Sequence, residues 1–477
     1  MTSVRAPLGG TGSFTGDLTG TRVLVAGARV TGVSAARMLT GLGAEVTVTD
    51  ASPTQLEALS GIPGVATVLR LDAPPPGTDL VVTSPGFRPD APLMVAARRS
   101  CVPVIGDVAL ARWIDCVRPG VRPGPGQAPA EWLVVTGTNG KTTTVGMLES
   151  ILRVAGLDAV ACGNIGLPVL DAVRTGHRVL AVELSSFQLH WSRDLNPRAA
   201  AVLNVSADHL DWHGSLAGYA AAKGSVFGED TTAVFNVDDE WSTRLAAGRD
   251  GVGFTTGEPR EGQLGVVGRQ LVDRAFSGQQ GADVLAQLDD VHPAGLHNLA
   301  NALAAAALAR CIGVAATAVA EGLRAFTPGA HRGVPVGEHA GVCYIDDSKA
   351  TNPHAARAAL LAQRRVVWVA GGLLKGVDVD SLVLDTRDRL VGAVLLGADR
   401  AVIAAALARH APDVPVRVVD SGDHDAMSEV VAAAAELAGP GDVVLLAPAA
   451  ASMDMFSDYT HRGRTFAAAV AALGGSR

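Results

Sequence analysis

One segment constrains this chain more than any other: Trp132-Leu133-Val134-Val135-Thr136, followed by Gly137-Thr138-Asn139-Gly140 and then Lys141-Thr142-Thr143-Thr144. A short, wholly apolar run suits a strand buried on both faces, as in a parallel sheet. The glycines mark a tight turn, and the residues after them begin a helix. A strand that runs through a glycine turn into a helix aims backbone N–H groups and the helix dipole at one point. That point suits a phosphate. Lys141 would add a cation for the β- and γ-phosphates, and the Thr142 hydroxyl a ligand for Mg²⁺. Gly137, Thr138, Asn139, Gly140, Lys141, Thr142 and Thr143 are therefore the expected ATP-binding loop. Val135 stands where the usual form of this loop has glycine, so a strict pattern search passes it by.

The same alternation recurs along all 477 residues. Residues 21–26, 45–49 and 79–83 read as strands, with a turn at 27–32 and a helix over 33–42. Residues 132–136, 179–183 and 200–204 form a second set of strands, followed by an alanine-rich helix over 298–313. Residues 366–370, 392–396, 416–419 and 442–446 form a third set, with helices over 401–409 and 427–437 between them. Strand–helix alternation implies parallel sheets covered by helices, so the expected fold is α/β, with three domains in series. The middle one carries the phosphate loop. The boundaries are set at 1–128, 129–329 and 330–477. The first falls in the Pro- and Gly-dense segment 117–129, which reads as a linker.

Bulk properties narrow the function. The formal charge is −8 and aromatics make up 4%. Both argue against nucleic acid or an anionic membrane as the main partner. The five cysteines include no C-x-x-C pair, so a reducing, cytoplasmic setting is expected. Neither a signal peptide nor a membrane-spanning run is read from the sequence. The turn Gly27-Ala28-Arg29-Val30-Thr31-Gly32 has Arg29 where a dinucleotide fingerprint has its middle glycine. This argues against NAD and leaves another phosphate-bearing nucleotide, or a turn without ligand.

Further strings follow the phosphate loop in order: Gly163-Asn164-Ile165-Gly166, Glu183-Leu184-Ser185-Ser186-Phe187-Gln188, Asp208-His209-Leu210-Asp211, His297-Asn298-Leu299-Ala300-Asn301, His331-Arg332 and Asp347-Ser348-Lys349-Ala350-Thr351-Asn352. With the loop, they resemble the Mur ligase family, from about residue 22 to about residue 466, and the resemblance implies Rossmann-like first and last domains around a central P-loop ATPase domain. The resemblance implies ATP-dependent ligation of D-glutamate to UDP-MurNAc-L-alanine in peptidoglycan precursor synthesis, by a cytoplasmic monomer using two Mg²⁺ ions. It implies contacts of the UDP-sugar with Val30, Thr31, Asp50, Ser84, Pro85, Gly86, Asn164, Ser185 and Gln188. Asn298, Asn301, Arg332 and Asp347 would join the loop around ATP, and Lys349, Thr351, Lys375, Ser452 and Tyr459 would receive D-glutamate, in a last domain that closes over ATP. Lys141, His209 and Lys223 are the implied catalytic residues, with Thr142, Glu183, His209 and Lys223 on the metal side. Lys223 is an implied carbamate, formed with CO₂.

Each assignment has a plainer alternative. Lys223 also reads as a helix lysine reaching to solvent. Asn298 also reads as a helix cap, His209 as a structural hydrogen-bonder, and Tyr459 as packing on the last helix. Gly224, a weak helix former, follows Lys223, and a bend is expected there. Tyr459 and Asp346 stand where the family suggests Phe and Asn. The competing functions are another Mur-type or folylpolyglutamate ligase and a non-catalytic P-loop switch.

Overall fold

The computed structural model describes residues 18–117, 128–278, 281–420 and 426–473. Most of the expected linker, the first 17 residues and the last four lie outside the described residues. The described chain holds three sheets, which follow one another along the sequence.

The first sheet contains β1 (Arg22–Ala26), β2 (Glu45–Asp50), β3 (Val65–Leu69), β4 (Leu80–Thr83) and β5 (Val104–Gly106) in the order β3-β2-β1-β4-β5. All its pairs are parallel. The chain reverses its direction of winding between β1 and β4, which opens a crevice beyond their C-terminal ends. The helix after β1 begins at Val30, three residues earlier than the sequence reading placed it. It can do so because two glycines meet there. A Cβ on Gly32 would lie 1.8 Å from the Gly27 carbonyl oxygen.

The second sheet has nine strands: β6 (Glu131–Thr136), β7 (Ala159–Gly163), β8 (Val179–Glu183), β9 (Ala199–Val202), β10 (Thr232–Asn236), β11 (Gly251–Phe254), β12 (Gln263–Val267), β13 (Gln270–Asp273) and β14 (Asp283–Gln287). Their order is β14-β13-β12-β11-β10-β9-β6-β8-β7. The first strand, β6, lies inside, flanked by β8 and β9. The loop after it therefore sits at the reversal point of the winding.

The third sheet orders β15 (Val334–His339), β16 (Val342–Asp346), β17 (Val366–Gly371), β18 (Leu390–Leu396), β19 (Val416–Val418) and β20 (Val443–Leu446) as β15-β16-β20-β17-β18-β19. Only β15 runs antiparallel to its neighbour. Trp368 and the other β17 residues are fully buried, as the apolar run at 366–370 requires.

By contacts the chain divides into two compact units. Residues 1–205, 209–290 and 300–325 form one, which contains the first two sheets. Residues 206–208, 291–299 and 326–477 form the other. Within the first unit one apolar core runs under both sheets, from Val23 and Val25 through Trp113 and Ile114 to Trp132 and Val134. The buried Asp115 carboxylate accepts from Ala130 N and from Trp132 Nε1, each at 3.0 Å. A buried charge held by such donors fixes the start of β6 against the last helix of the first sheet. Among the described residues no helix is long and apolar enough to cross a membrane.

Candidate active site

The phosphate loop forms as its sequence requires. Gly137 and Gly140 have φ of +157° and +85°, and Gly140 immediately precedes the helix Lys141–Val154. A side chain at Gly140 would place its Cβ 2.3 Å from Asn301 Oδ1. The amide of Asn301 thus lies against the loop, which only a glycine permits. Lys141 Nζ donates to Gly137 O at 3.0 Å and to Thr138 O at 2.9 Å, so the lysine folds over its own loop. Asn204, at the end of β9, accepts from Asn139 N at 2.9 Å and returns a bond to Asn139 O at 3.2 Å. Tyr219 donates its hydroxyl proton to Thr138 Oγ1 at 3.2 Å.

Glu183 ends β8 beside this loop and is 3% exposed. The Thr142 hydroxyl donates to its Oε2 at 2.6 Å, and Asn164 Nδ2 donates to its Oε1 at 2.9 Å. A hydroxyl and a carboxylate brought together at a phosphate loop are hard oxygen donors of the kind that hold Mg²⁺. Asn164 reaches Glu183 because Gly163, with φ of +117°, lets β7 pass close to β8.

Lys223 is 1% exposed on the helix Leu216–Gly224. Its Nζ donates to Gly137 O at 2.8 Å and lies 4.3 Å from the Tyr219 ring centre. The solvent-reaching alternative for this lysine therefore fails. No bend is needed at Gly224, where the helix ends; a Cβ there would lie 2.7 Å from Leu245 Cδ2, so packing accounts for the glycine. His209 has φ of +52° at the head of the short helix Leu210–His213, and its ring meets Phe187 edge-on at 4.7 Å. His213 stacks on Phe187 with ring centres 5.7 Å apart and shares a 2.9 Å hydrogen bond with Ser186 Oγ. Burial, aided by the charges of His190, His209 and Lys223, lowers His213 to about 4.

The residues read for the sugar nucleotide fall in two groups. Val30, Thr31 and Ser84-Pro85-Gly86 gather at the crevice of the first sheet. Val30 is exposed at the helix N-terminus, and Thr31 Oγ1 donates to Ser84 Oγ at 3.3 Å. Asp50 at the end of β2 accepts from Ala28 N at 2.8 Å and from Ser52 N at 2.9 Å, so its carboxylate also shapes the turn. Asn164, Ser185 and Gln188 instead lie by Glu183. Ser185 and Gln188 form a reciprocal capping box at the start of the helix Ser186–Trp191, which occupies the Gln188 amide oxygen.

Arg332, Asp347, Lys349, Thr351, Lys375, Ser452, Tyr459 and also Asn298 belong to the second unit. Asn298 lies inside the first turn of the helix Leu296–Arg310 and not at its cap; its Nδ2 donates to Pro293 O at 2.9 Å. Burial and the neighbouring Asp346 charge push the Asp347 carboxyl up to about 7, against the opposing pull of Arg332 and the Gly333 N–H. Asp346 pairs with His331 Nδ1 at 2.6 Å, and a Cβ on Gly463 would lie 2.2 Å from that nitrogen. Lys349 Nζ lies 4.1 Å from the Tyr459 ring centre, which gives the ring a contact beyond packing. The loops carrying Lys375 and Ser452 are joined by paired backbone hydrogen bonds between Leu373 and Ala451 at 2.8 and 3.0 Å.

The sequence reading missed Arg462, which is 1% exposed. Its guanidinium donates to Ser348 Oγ, Ser348 O, Ala450 O and Gly371 O, so it clasps the loops that follow β16, β17 and β20. Asn204 and Tyr219 were also missed as holders of the phosphate loop. Asn204 ends a strand already read, but the partners of neither could be read from spacing.

The chain matches two models of one family: Mur ligase middle domain over residues 135–309, and Mur ligase, glutamate ligase domain over residues 331–450. Residues 2–82 match the alanine dehydrogenase/PNT C-terminal domain. A UDP-N-acetylmuramoylalanine–D-glutamate ligase from Streptomyces coelicolor is 52% identical over 96% of this chain and 99% of its own length. The enzyme of the same name from Streptomyces avermitilis is 53% identical over 95% and 99%. Among solved structures, the UDP-N-acetylmuramate-alanine ligase of Thermotoga maritima shares the fold, with a TM-score of 0.58 and 19% identity over 96% of this chain and all of that one.

Proposed function

This chain belongs to the Mur ligase family, and we propose that it works as the D-glutamate-adding ligase of peptidoglycan precursor synthesis. It joins the alanine carboxylate of UDP-MurNAc-L-alanine to the amine of D-glutamate and consumes ATP. Residues 1–128 serve the sugar nucleotide, 129–329 ATP, and 330–477 D-glutamate. The enzyme acts in the cytoplasm as a monomer.

A carboxylate is a poor electrophile, so the reaction begins by making its oxygen a leaving group. The alanine carboxylate attacks the γ-phosphorus of ATP and ADP departs, leaving an acyl phosphate. The amine of D-glutamate attacks the acyl carbon, phosphate leaves, and the amine gives up a proton. Loop N–H groups from Gly137 to Thr143 and the Lys141 ammonium offset the charge on the phosphates. Asn301 and Asn298 read the adenine, and Arg332 and Asp347 contact ATP. Thr142, Glu183, His209 and a carbamylated Lys223 would hold two Mg²⁺ ions, which supply Lewis-acid neutralisation of the transferring group. Lys349, Thr351, Lys375, Ser452 and Tyr459 hold the two carboxylates of D-glutamate.

One observation carries the reading: a hydroxyl of the phosphate loop lies 2.6 Å from the buried carboxylate of Glu183, on a chain half identical over nearly its whole length to D-glutamate ligases. The test is ADP release with UDP-MurNAc-L-alanine and each of D-glutamate, L-glutamate, L-lysine and meso-diaminopimelate. Only D-glutamate should support turnover, and ¹⁸O placed in the alanine carboxylate should appear in the released phosphate. Turnover without an acceptor would favour a nucleotide switch. Loss of activity on removing CO₂ and bicarbonate would support the carbamate on Lys223.

A further inference from the structure

Residues 84–91 leave the C-terminal end of β4, and their first part belongs to the crevice of the first sheet. Ser84 Oγ accepts from Thr31. Gly27, with φ of +103°, allows this approach; a Cβ there would stand 2.4 Å from Ser84 Oγ and 3.6 Å from the Phe87 ring. The middle of the same loop is fastened to the second sheet's surroundings. Phe87 O accepts from Trp191 Nε1 at 3.1 Å, and Arg88 Nη1 donates to Asp211 O at 3.1 Å. Trp191 closes the short helix whose capping box begins two residues after Glu183. Asp211 lies two residues after His209.

The segment that Arg88 grips is weakly held by burial. The helix Leu210–His213 has four residues, none of them buried, between left-handed residues at His209 and Gly214. A charge-assisted hydrogen bond from outside therefore weighs more there than it would on a packed helix. The Arg88 side chain is itself steered, since its Nε donates to Asp90 Oδ1 at 3.2 Å. A guanidinium can serve both acceptors from one plane, whereas a lysine ammonium on a flexible stem cannot hold the same fork.

We propose that Arg88 is a positioning residue for the ligation. It ties the loop that seats the sugar nucleotide to the turn that carries His209, so that filling the crevice of the first sheet orders that turn. This inference rests on the function proposed above. Turnover by the wild-type enzyme with UDP-MurNAc-L-alanine, ATP and D-glutamate is therefore measured first. Its failure would count against that function and not against Arg88.

The test compares Arg88→Ala and Arg88→Lys with wild type in steady-state kinetics, calorimetric binding of UDP-MurNAc-L-alanine, and tryptophan emission. Trp191 and Trp212 flank the two fastenings. In Arg88→Ala, kcat should fall about tenfold, the worth of one charge-assisted hydrogen bond, while the KM for D-glutamate stays within about twofold. The sugar nucleotide should still bind, but the emission change that it causes in the wild type should be largely lost. Arg88→Lys, which keeps one donor, should recover part of kcat, and it stands in if the alanine variant does not fold. Wild-type kcat and emission response in a variant that is merely less heat-stable would overturn the proposal.

Discussion

The hydroxyl of Thr142 and the carboxylate of Glu183 meet at 2.6 Å, which joins the first turn of the helix after the phosphate loop to the end of a neighbouring strand. Asn164 occupies the other oxygen of Glu183. Both oxygens therefore accept hydrogen bonds from fixed donors, which hold the carboxylate in place. A carboxamide at this position would keep the shape, lose the charge and turn one NH₂ toward a donor. Glu183→Gln should lower kcat by about 100-fold or more, since it removes the carboxylate charge that would hold Mg²⁺ at the transferring phosphoryl group. Thermal unfolding within a few degrees of wild type would show that the loss is chemical. Wild-type turnover would remove Glu183 from the site.

Arg462 makes a second kind of connection. Burial lowers its pKa to about 10, opposed by the charges of Asp454 and Asp346, so it remains a cation at neutral pH. Its donors reach three loops that are far apart in sequence. A lysine has the charge without the spread of donors. Arg462→Lys should destabilise the second unit by about 3 kcal/mol, because several buried carbonyls lose their partners. It should also raise the KM for D-glutamate, as the loop of Ser452 loosens. Chemical denaturation and a D-glutamate titration check the two effects separately.

These contrasts explain what could be read in the residues. The loop from Gly137 to Thr142 is continuous, so its chemistry and its local structure share one stretch of sequence. Short apolar runs such as 132–136 and 366–370 announced buried parallel strands for the same reason. The strands from β10 to β14 were passed over because they are short and broken by glycine and polar residues, and pairing with neighbours holds them more than their own pattern does. Arg462 could not be found: an arginine early in a helix looks like a surface residue, and its partners at 348, 371 and 450 meet only in the fold. Asp50 shows a third case. An acid at a strand end was read for ligand contact, and the fold gives its oxygens two backbone N–H groups as well.

Asp107 offers a test of stability against pH. It begins the helix Asp107–Val117 with its side chain buried, and its Oδ1 has no hydrogen-bond partner. Burial raises its pKa from 3.8 to about 7, against the pull of the Asp107 and Val108 N–H groups. The folded state thus keeps a proton that the unfolded state has lost between these values. The contribution is complete below pH 3.8 and is lost as pH rises toward and through 7. Asp107→Asn removes this titration. Relative to wild type, the variant should gain about 2 kcal/mol of stability between pH 5 and pH 8. Any fixed effect of the amide cancels in that difference. Urea unfolding at the two pH values measures it, and parallel pH trends for the two proteins would show that Asp107 is ionised in the fold.

Tyr459 separates the ring from its hydroxyl. Lys349 Nζ lies 4.1 Å from the ring centre, so the ring holds the ammonium that is proposed to meet a carboxylate of D-glutamate. The Tyr459 backbone does further work, since its carbonyl accepts from Ser348 Oγ at 2.8 Å, and any residue can supply that. Tyr459→Phe keeps the aromatic face and the backbone bond, so its KM for D-glutamate should stay within about twofold of wild type. Tyr459→Ala keeps only the backbone bond and takes the ring away from the lysine, and KM should rise about tenfold while the KM for ATP holds. If Tyr459→Phe alone reproduced the full loss, the hydroxyl and not the ring would be the contact, and Lys349 would need another reason for its place.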